Sequence, residues 1–183
     1  MTDEYPYQLI RLNALKNAIY HSARQRMLGA WNRRFNFLVV VLGATAASDI
    51  LMKYGVDQRW LALATAVIGA AQLVFDFGGR AGRHQILQRD YFMLSSEIEA
   101  NPSATVAECA KWQTEALRIA ADEPPVYHAL DAKAYNQAIS SLGNFDVSKE
   151  VLVLPLLHRI GANWIHFGGY TYPKRCELVA TVK

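Results

Sequence analysis

One histidine and one aspartate have the spacing of an acid–base pair. His128 and Asp131 lie at i and i+3, which places two side chains on the same face of a helix. The pair fits either catalysis or a hydrogen bond at the protein surface. The chain contains no HExxH, CxxC or nucleophile-elbow motif, so the surface hydrogen bond is the favoured interpretation. The sequence therefore predicts no enzyme, no metal ligands and no cofactor.

The segment "GGRAGR" (78–83) has the composition of a phosphate-binding loop. It lacks the GxxxxGK[ST] spacing, and no predicted strand precedes it. We interpret it as the place where a helix leaves a membrane, with its arginines near anionic lipid headgroups. A net charge of +3 without a dense Lys/Arg run argues against nucleic acid as a partner. The two widely separated cysteines are typical of a reducing compartment.

Polar residues inside two apolar stretches are the most unusual feature of the sequence. In the first stretch, Thr45, Ser48 and Asp49 cluster on one helical face, with Asn36 on the opposite side. The second stretch carries a polar stripe at i, i+4, i+7 and i+11: Thr65, Gly69, Gln72 and Asp76. These faces line a water-filled path in an oligomer, or they permit close helix packing in which Gln72 bridges helices. Both interpretations require a homo-oligomer.

Two predicted helices, 35–53 and 60–77, contain these polar residues. Each is at the short end of the length needed to cross hydrocarbon, so a buried soluble hairpin stays an alternative. The middle of each stretch lacks the polar face of a soluble helix. Tyr54 and Trp60 lie where an interfacial aromatic belt is expected. The pattern favours a helical hairpin that crosses a lipid bilayer twice.

Basic residues flank the hairpin unevenly. The connecting turn carries only Lys53 and Arg59, whereas the flanking segments carry more arginines: Arg24, Arg26, Arg33 and Arg34 before the first stretch and Arg80, Arg83 and Arg89 after the second. The positive-inside rule places both termini in the cytoplasm. The N-terminus lacks the pattern of a cleaved signal peptide, so we expect it to remain on the mature protein.

Helical patterns continue on both sides of the hairpin. Residues 7–34 form a predicted amphipathic helix, and 80–183 a cytosolic helical region in which Thr105 and Glu108 have capping-box spacing. Near the end of the chain, one predicted helical face lies either on the membrane surface or against the bundle; it consists of Leu156, Ile160, Trp164 and Phe167. The expected fold is all-α: a two-transmembrane hairpin whose long helices extend into a cytosolic helical bundle, in one domain over 1–183.

The order of these parts resembles the bacterial SLATT family of two-transmembrane effector domains. Three segments carry the resemblance: "RQRMLGAWNRRFNFLVVVLGA", "FDFGGRAGRHQILQRDYFMLSSEI" and "DEPPVYHALDAKAYNQA". The residues that match the closing family pattern are Pro124, Pro125, Leu130, Asp131 and Asn136. Lys133 and Ala134 depart from that pattern, which expects small or apolar residues and a Cys there.

The resemblance implies an effector that forms a pore or perturbs the bacterial inner membrane in an antiphage, abortive-infection response. Such domains occur beside nucleotide-signalling modules, so a separate sensor protein or a nucleotide second messenger is the implied trigger. A non-toxic membrane scaffold that recruits a soluble partner is the competing class of function. A soluble helical bundle is the third.

Overall fold

The computed structural model describes residues 4–55 and 57–181, apart from the side chains of residues 4, 5, 45–48 and 179–181. Over these residues the regular structure is helical, with one isolated antiparallel bridge between Leu152 and Lys174. The expectation of an all-α protein is confirmed. The helices are α1 (Glu4–Gly43), α2 (Thr45–Lys53), α3 (Gln58–Phe75), α4 (Phe77–Ala100), α5 (Val106–Ala120), α6 (His128–Leu142), α7 (Val147–Glu150), α8 (Leu156–Gly161) and α9 (Arg175–Thr181).

The first apolar stretch is divided between two helices. Helix α1 continues past the predicted boundary at residue 34 and ends at Gly43. Ala44 has an extended backbone, with φ −74° and ψ 126°, and α2 begins at the next residue. The predicted single helix over 35–53 is therefore interrupted near its middle.

The second apolar stretch lies in α3 and is bounded by two aspartates. The carboxylate of Asp57 accepts the backbone N–H of Arg59 at 2.9 Å, which caps the start of α3. Asp76 ends the helix in the left-handed region at φ 41°, and α4 begins at Phe77. Helix α4 ends at Ala100, directly before Asn101–Pro102.

The chain divides into two compact units. One consists of the residues up to Arg24 together with those from His84 onwards, and the other is Gln25–Arg83. The second unit contains the C-terminal part of α1, all of α2 and α3, and the first turns of α4.

The core of the first unit is built on matching stripes of α1 and α4. Their buried residues recur at intervals of three or four, which is the helical period that puts them on one face. Cys109 and Ile119 of α5 complete this cluster, whose α1 and α4 members are Tyr7, Ile10, Ala14, Ala18, Leu87, Tyr91, Leu94 and Ile98. Thr105 and Glu108 form the predicted capping box at the start of α5.

Helix α6 packs on the same part of α1 through small residues. Its buried alanines surround Leu130 and lie against Tyr20, while Ile139 lies against Leu12. The helix ends at Gly143, whose φ of 69° is the left-handed conformation that glycine adopts without steric cost.

The predicted helical face near the end of the chain is only partly present. Helix α8 ends at Gly161, although the N–H groups of Trp164 and Ile165 still bond to the Gly161 carbonyl. Phe167 has φ 49° and stacks on His158 at 3.9 Å between ring centroids, so it leaves the face that begins at Leu156. The glycines at 161, 168 and 169 disfavour a longer helix.

Candidate functional site

The apolar side chains of the unit Gln25–Arg83 are largely exposed. On α1, Phe37 and Val40 keep 67% and 69% of their surface, and on α3, Leu73 and Val74 keep 83% and 80%. A buried core helix of a soluble protein shows the opposite pattern. This surface needs an apolar covering of lipid or protein.

One run of described helix has the length and composition to cross a membrane. It begins at Gln58 and extends to Ala100, and only 6% of its apolar window of eighteen residues is buried. The other predicted span, 35–53, falls on the end of α1 and on the nine-residue helix α2. The second crossing of the predicted hairpin is therefore not shown.

Three members of the polar stripe find hydrogen-bond partners within the chain. The Thr65 hydroxyl donates to the Leu61 carbonyl at 2.8 Å, one turn earlier in α3. The Gln72 amide donates to the Asn36 side-chain oxygen at 2.6 Å and so joins α3 to α1. The Asp76 carboxylate accepts the backbone N–H of Gly79 at 3.0 Å. Gln72 thus does bridge two helices, but within one copy of the chain.

The remaining predicted pore residues lie in more open surroundings. A Cβ added at Gly69 would meet no atom within 4 Å, so the helix surface there has room for a neighbour. Asp49 on α2 is exposed. Thr45 and Ser48 belong to the backbone of α2, but their side chains lie outside the described residues.

Aromatic rings gather where the apolar part of α1 begins and where α3 passes into α4. Phe35 stacks on Phe77 at 5.2 Å, and Phe77 stacks on Phe75 at 5.6 Å between ring centroids. Trp31 packs beside Phe35, and the Arg34 guanidinium lies 5.1 Å from the Trp31 ring centre. Rings beside a cation are typical of the border between hydrocarbon and water.

A buried polar cluster in the first unit was not anticipated from the sequence. His21 of α1 and His84 of α4 are 1% and 3% exposed, and their Nδ1 atoms are 2.8 Å apart. The other ring nitrogen of His21 lies 3.2 Å from the Glu123 carboxylate, just after α5. Tyr91 stacks on His21 at 5.7 Å. The only sequence signal was that each histidine continues an apolar stripe.

The electrostatics of this cluster favour a charged Glu123. Burial is the largest effect on the pKa of Glu123 and raises it, but hydrogen bonds from His21 and Tyr91, together with electrostatic attraction to His21 and Lys16, hold that pKa below its ordinary value. Burial raises the pKa of Tyr91 far above its usual range, and the neighbouring Glu123 carboxylate adds to the increase. The cluster therefore holds an ionised carboxylate and a neutral phenol.

The residues of the family pattern are structural in this fold. Leu130 is buried on α6, and the Asp131 carboxylate lies 3.0 Å from the Lys16 ammonium of α1. Asn136 donates to the Leu152 carbonyl and accepts the Leu152 N–H, each at 2.8 Å. Pro124 and Pro125 stand between α5 and α6.

Asp131, the candidate partner of His128, forms an ion pair with Lys16 of α1. Within the described residues, no group of three or more His, Cys, Asp or Glu side chains is placed to hold a metal ion. No protein-family model, no curated protein and no solved structure matches the chain.

Proposed function

We propose that this chain is a membrane-embedded helical-hairpin protein of the bacterial inner membrane. Both termini lie in the cytoplasm, and the hairpin assembles into a homo-oligomer that forms a pore or otherwise perturbs the membrane. A separate sensor protein or a nucleotide second messenger releases this activity. The antiphage role rests on the resemblance to the SLATT family.

The observation that carries the proposal is the exposure of the apolar residues in Gln25–Arg83. In a soluble bundle, exposing more than three-quarters of Leu73 and Val74 to water is unfavourable, whereas lipid covers such residues favourably. Helix α3 has 18 residues and is about 27 Å long at 1.5 Å per residue, close to the thickness of the hydrocarbon core.

Interfacial residues support the same placement. Tyr54 and Trp60, at one end of the hairpin, are 82% and 68% exposed. The stacked rings of Phe35, Phe75 and Phe77 mark its other end. Aromatic rings at both ends of an apolar segment are the usual arrangement at the two bilayer surfaces.

The hydrogen bonds of the polar stripe favour a second candidate, the membrane scaffold. Thr65, Gln72 and Asp76 each form a hydrogen bond within one chain, and these contacts need no neighbouring copy. A scaffold needs only this self-sufficient hairpin and the helices of the first unit. The two candidates differ in whether the membrane loses its ion gradient.

Inducible expression of the full chain in bacteria separates the candidates. The effector predicts loss of membrane potential and uptake of an impermeant dye before growth stops, whereas a scaffold leaves both unchanged. Recovery of the chain in the soluble fraction without detergent would contradict both and favour the soluble bundle.

A double-mutant comparison at Asn36 and Gln72 then tests the role of the stripe. If Gln72 only pairs with Asn36, each single change to Leu impairs the protein and the combined Asn36→Leu, Gln72→Leu variant recovers activity. If Gln72 lines the conduction path, the combined variant stays as inactive as Gln72→Leu. Leu73→Ile, at an exposed neighbouring position, is the matched control.

A further inference from the structure

Helix α8 and the turn after it expose a group of large apolar side chains. Successive residues of an α-helix are about 100° apart, so Leu156, Leu157 and Ile160 fall within about 100° of one another, and Trp164 and Ile165 follow after the end of α8. We call this group the α8 surface; its members are Leu156, Leu157, Ile160, Trp164 and Ile165, and they are between 54% and 78% exposed.

The opposite side of this segment is firmly attached to the first unit. Ala162 is fully buried, and the Arg24 guanidinium of α1 donates to the Asn163 carbonyl at 2.7 Å. His158 lies 2.9 Å from the Tyr172 hydroxyl, and His166 stacks on Tyr127 at 4.0 Å between ring centroids. These contacts attach the buried side of the segment to the first unit and leave the α8 surface facing away from it.

Charge distinguishes the coverings that fit this surface. The 26 residues from Val151 to Cys176 include no Asp or Glu, whereas Arg159 and Arg175 are exposed. A symmetric contact between two copies would bring equal positive charges together, which is unfavourable. Anionic lipid headgroups complement the arginines, and the acyl chains beneath them accept the leucines and isoleucines. Trp164 belongs to the residue type that prefers this boundary.

We propose that the α8 surface lies in the headgroup layer of an anionic bilayer as a second, peripheral membrane contact. This inference rests on the proposed function, because it requires the first unit to face the membrane that holds the hairpin. In this arrangement, a cytosolic trigger acts by releasing or strengthening the contact between the α8 surface and the membrane.

Site-directed fluorescence in reconstituted liposomes tests the contact on the full chain. Cys176 is exposed and is replaced by Ser, and Cys109 is buried, so an environment-sensitive dye can be attached to one introduced Cys at a time. Ile160→Cys reports on the α8 surface. Leu117→Cys, on α5 and 63% exposed, is the matched control, and Leu73→Cys reports on the hairpin.

The inference predicts blue-shifted emission and quenching by lipids labelled near the headgroup at position 160, but not at position 117. The signal at position 160 weakens when anionic lipid is replaced by zwitterionic lipid, or when Arg159→Glu reverses the charge.

Quenching at position 73 with none at position 160 overturns the inference and leaves the proposed function standing. No quenching at either position overturns both. Disulfide-linked dimers through Ile160→Cys would instead show that a second copy covers the surface, and would overturn the inference.

Discussion

The contact between His21 and His84 assigns complementary roles to two buried ring nitrogens. Their Nδ1 atoms are 2.8 Å apart, so one must donate and the other must accept. The Glu123 carboxylate accepts from the other ring nitrogen of His21. These buried polar groups are therefore hydrogen-bonded to one another.

Acid should weaken the protein partly through Glu123. Because the folded state holds the pKa of this carboxylate below its ordinary value of 4.5, its stabilising contribution is complete above that value and is lost as pH falls through the folded pKa. In thermal unfolding followed by circular dichroism in detergent, Glu123→Gln should show a shallower loss of stability below about pH 4.5. Tyr91→Phe removes one hydrogen bond that lowers this pKa, so the folded and unfolded pKa values of Glu123 lie closer together and the acid-dependent loss of stability in this variant should be smaller than that of the unmodified protein. Identical acid profiles for all three proteins would contradict this assignment.

Asn136 should be important for stability rather than for activity in the membrane. Asn136→Ala leaves both backbone groups of Leu152 without their side-chain partner, which should lower the free energy of unfolding by about 1–3 kcal/mol. Denaturant titration in mild detergent measures this change. Ser140→Ala removes an exposed hydroxyl that bonds to the Asn136 carbonyl, and its effect should stay within about 0.5 kcal/mol. Equal effects of the two substitutions would argue against the role of Asn136.

Sequence reasoning at this scale found residues by pattern but not their partners. The family pattern selected Asn136, and only the fold shows that it binds Leu152, sixteen residues later. His21 and His84 are 63 residues apart and belong to no spacing motif. Asn36 was assigned to the side opposite Thr45 and left out of the polar stripe, yet it is the hydrogen-bond partner of Gln72. A pairing between separate helices has no local signal in the chain.

Helix ends were predictable where a few adjacent residues determine them. The capping box at Thr105 and Glu108 lies where the sequence predicts it, because such a cap depends on hydrogen bonds between neighbouring residues. The interruption at Ala44 was missed, because Gly43 and Thr45, which flank it, are also tolerated inside a continuous apolar helix. The predicted helix through Phe167 was too long, because helical periodicity alone does not weigh the glycines that follow.

Helix α3 offers a direct test of oligomer packing at Gly69. Within one chain, Gly69→Ala meets no neighbouring atom and should raise helix stability by up to about 1 kcal/mol. If another copy packs on this small-residue surface, the added methyl group should still weaken the oligomer. Crosslinking in native membranes and mass determination in mild detergent measure the effect. Gly43→Ala, also in open space, is the control; an unchanged oligomer in both variants would remove Gly69 from the interface.

The arrangement of the whole chain across the membrane is testable with thiol reagents. In a Cys176→Ser background, an impermeant maleimide should label Gln58→Cys in intact spheroplasts, because the turn between α2 and α3 faces outward. Arg26→Cys, exposed near the start of the unit Gln25–Arg83, should react only after permeabilisation. Labelling of Arg26→Cys in intact spheroplasts would contradict cytoplasmic termini, and equal labelling at both positions would contradict a crossing between them.

Because Cys109 is buried, its reaction with a thiol reagent reports on opening of the protein core. This thiol packs among the core residues shared by α1, α4 and α5, whereas Cys176 is exposed. In the unmodified protein, a thiol reagent therefore reacts at once with Cys176 and reaches Cys109 only when the core opens. When reclosing is faster than the reaction, the slow phase measures the fraction of molecules that are open at any moment; with concentrated reagent, it measures the opening rate itself. Labelling of Cys109 under these two conditions thus measures the open fraction of the core and its opening rate separately.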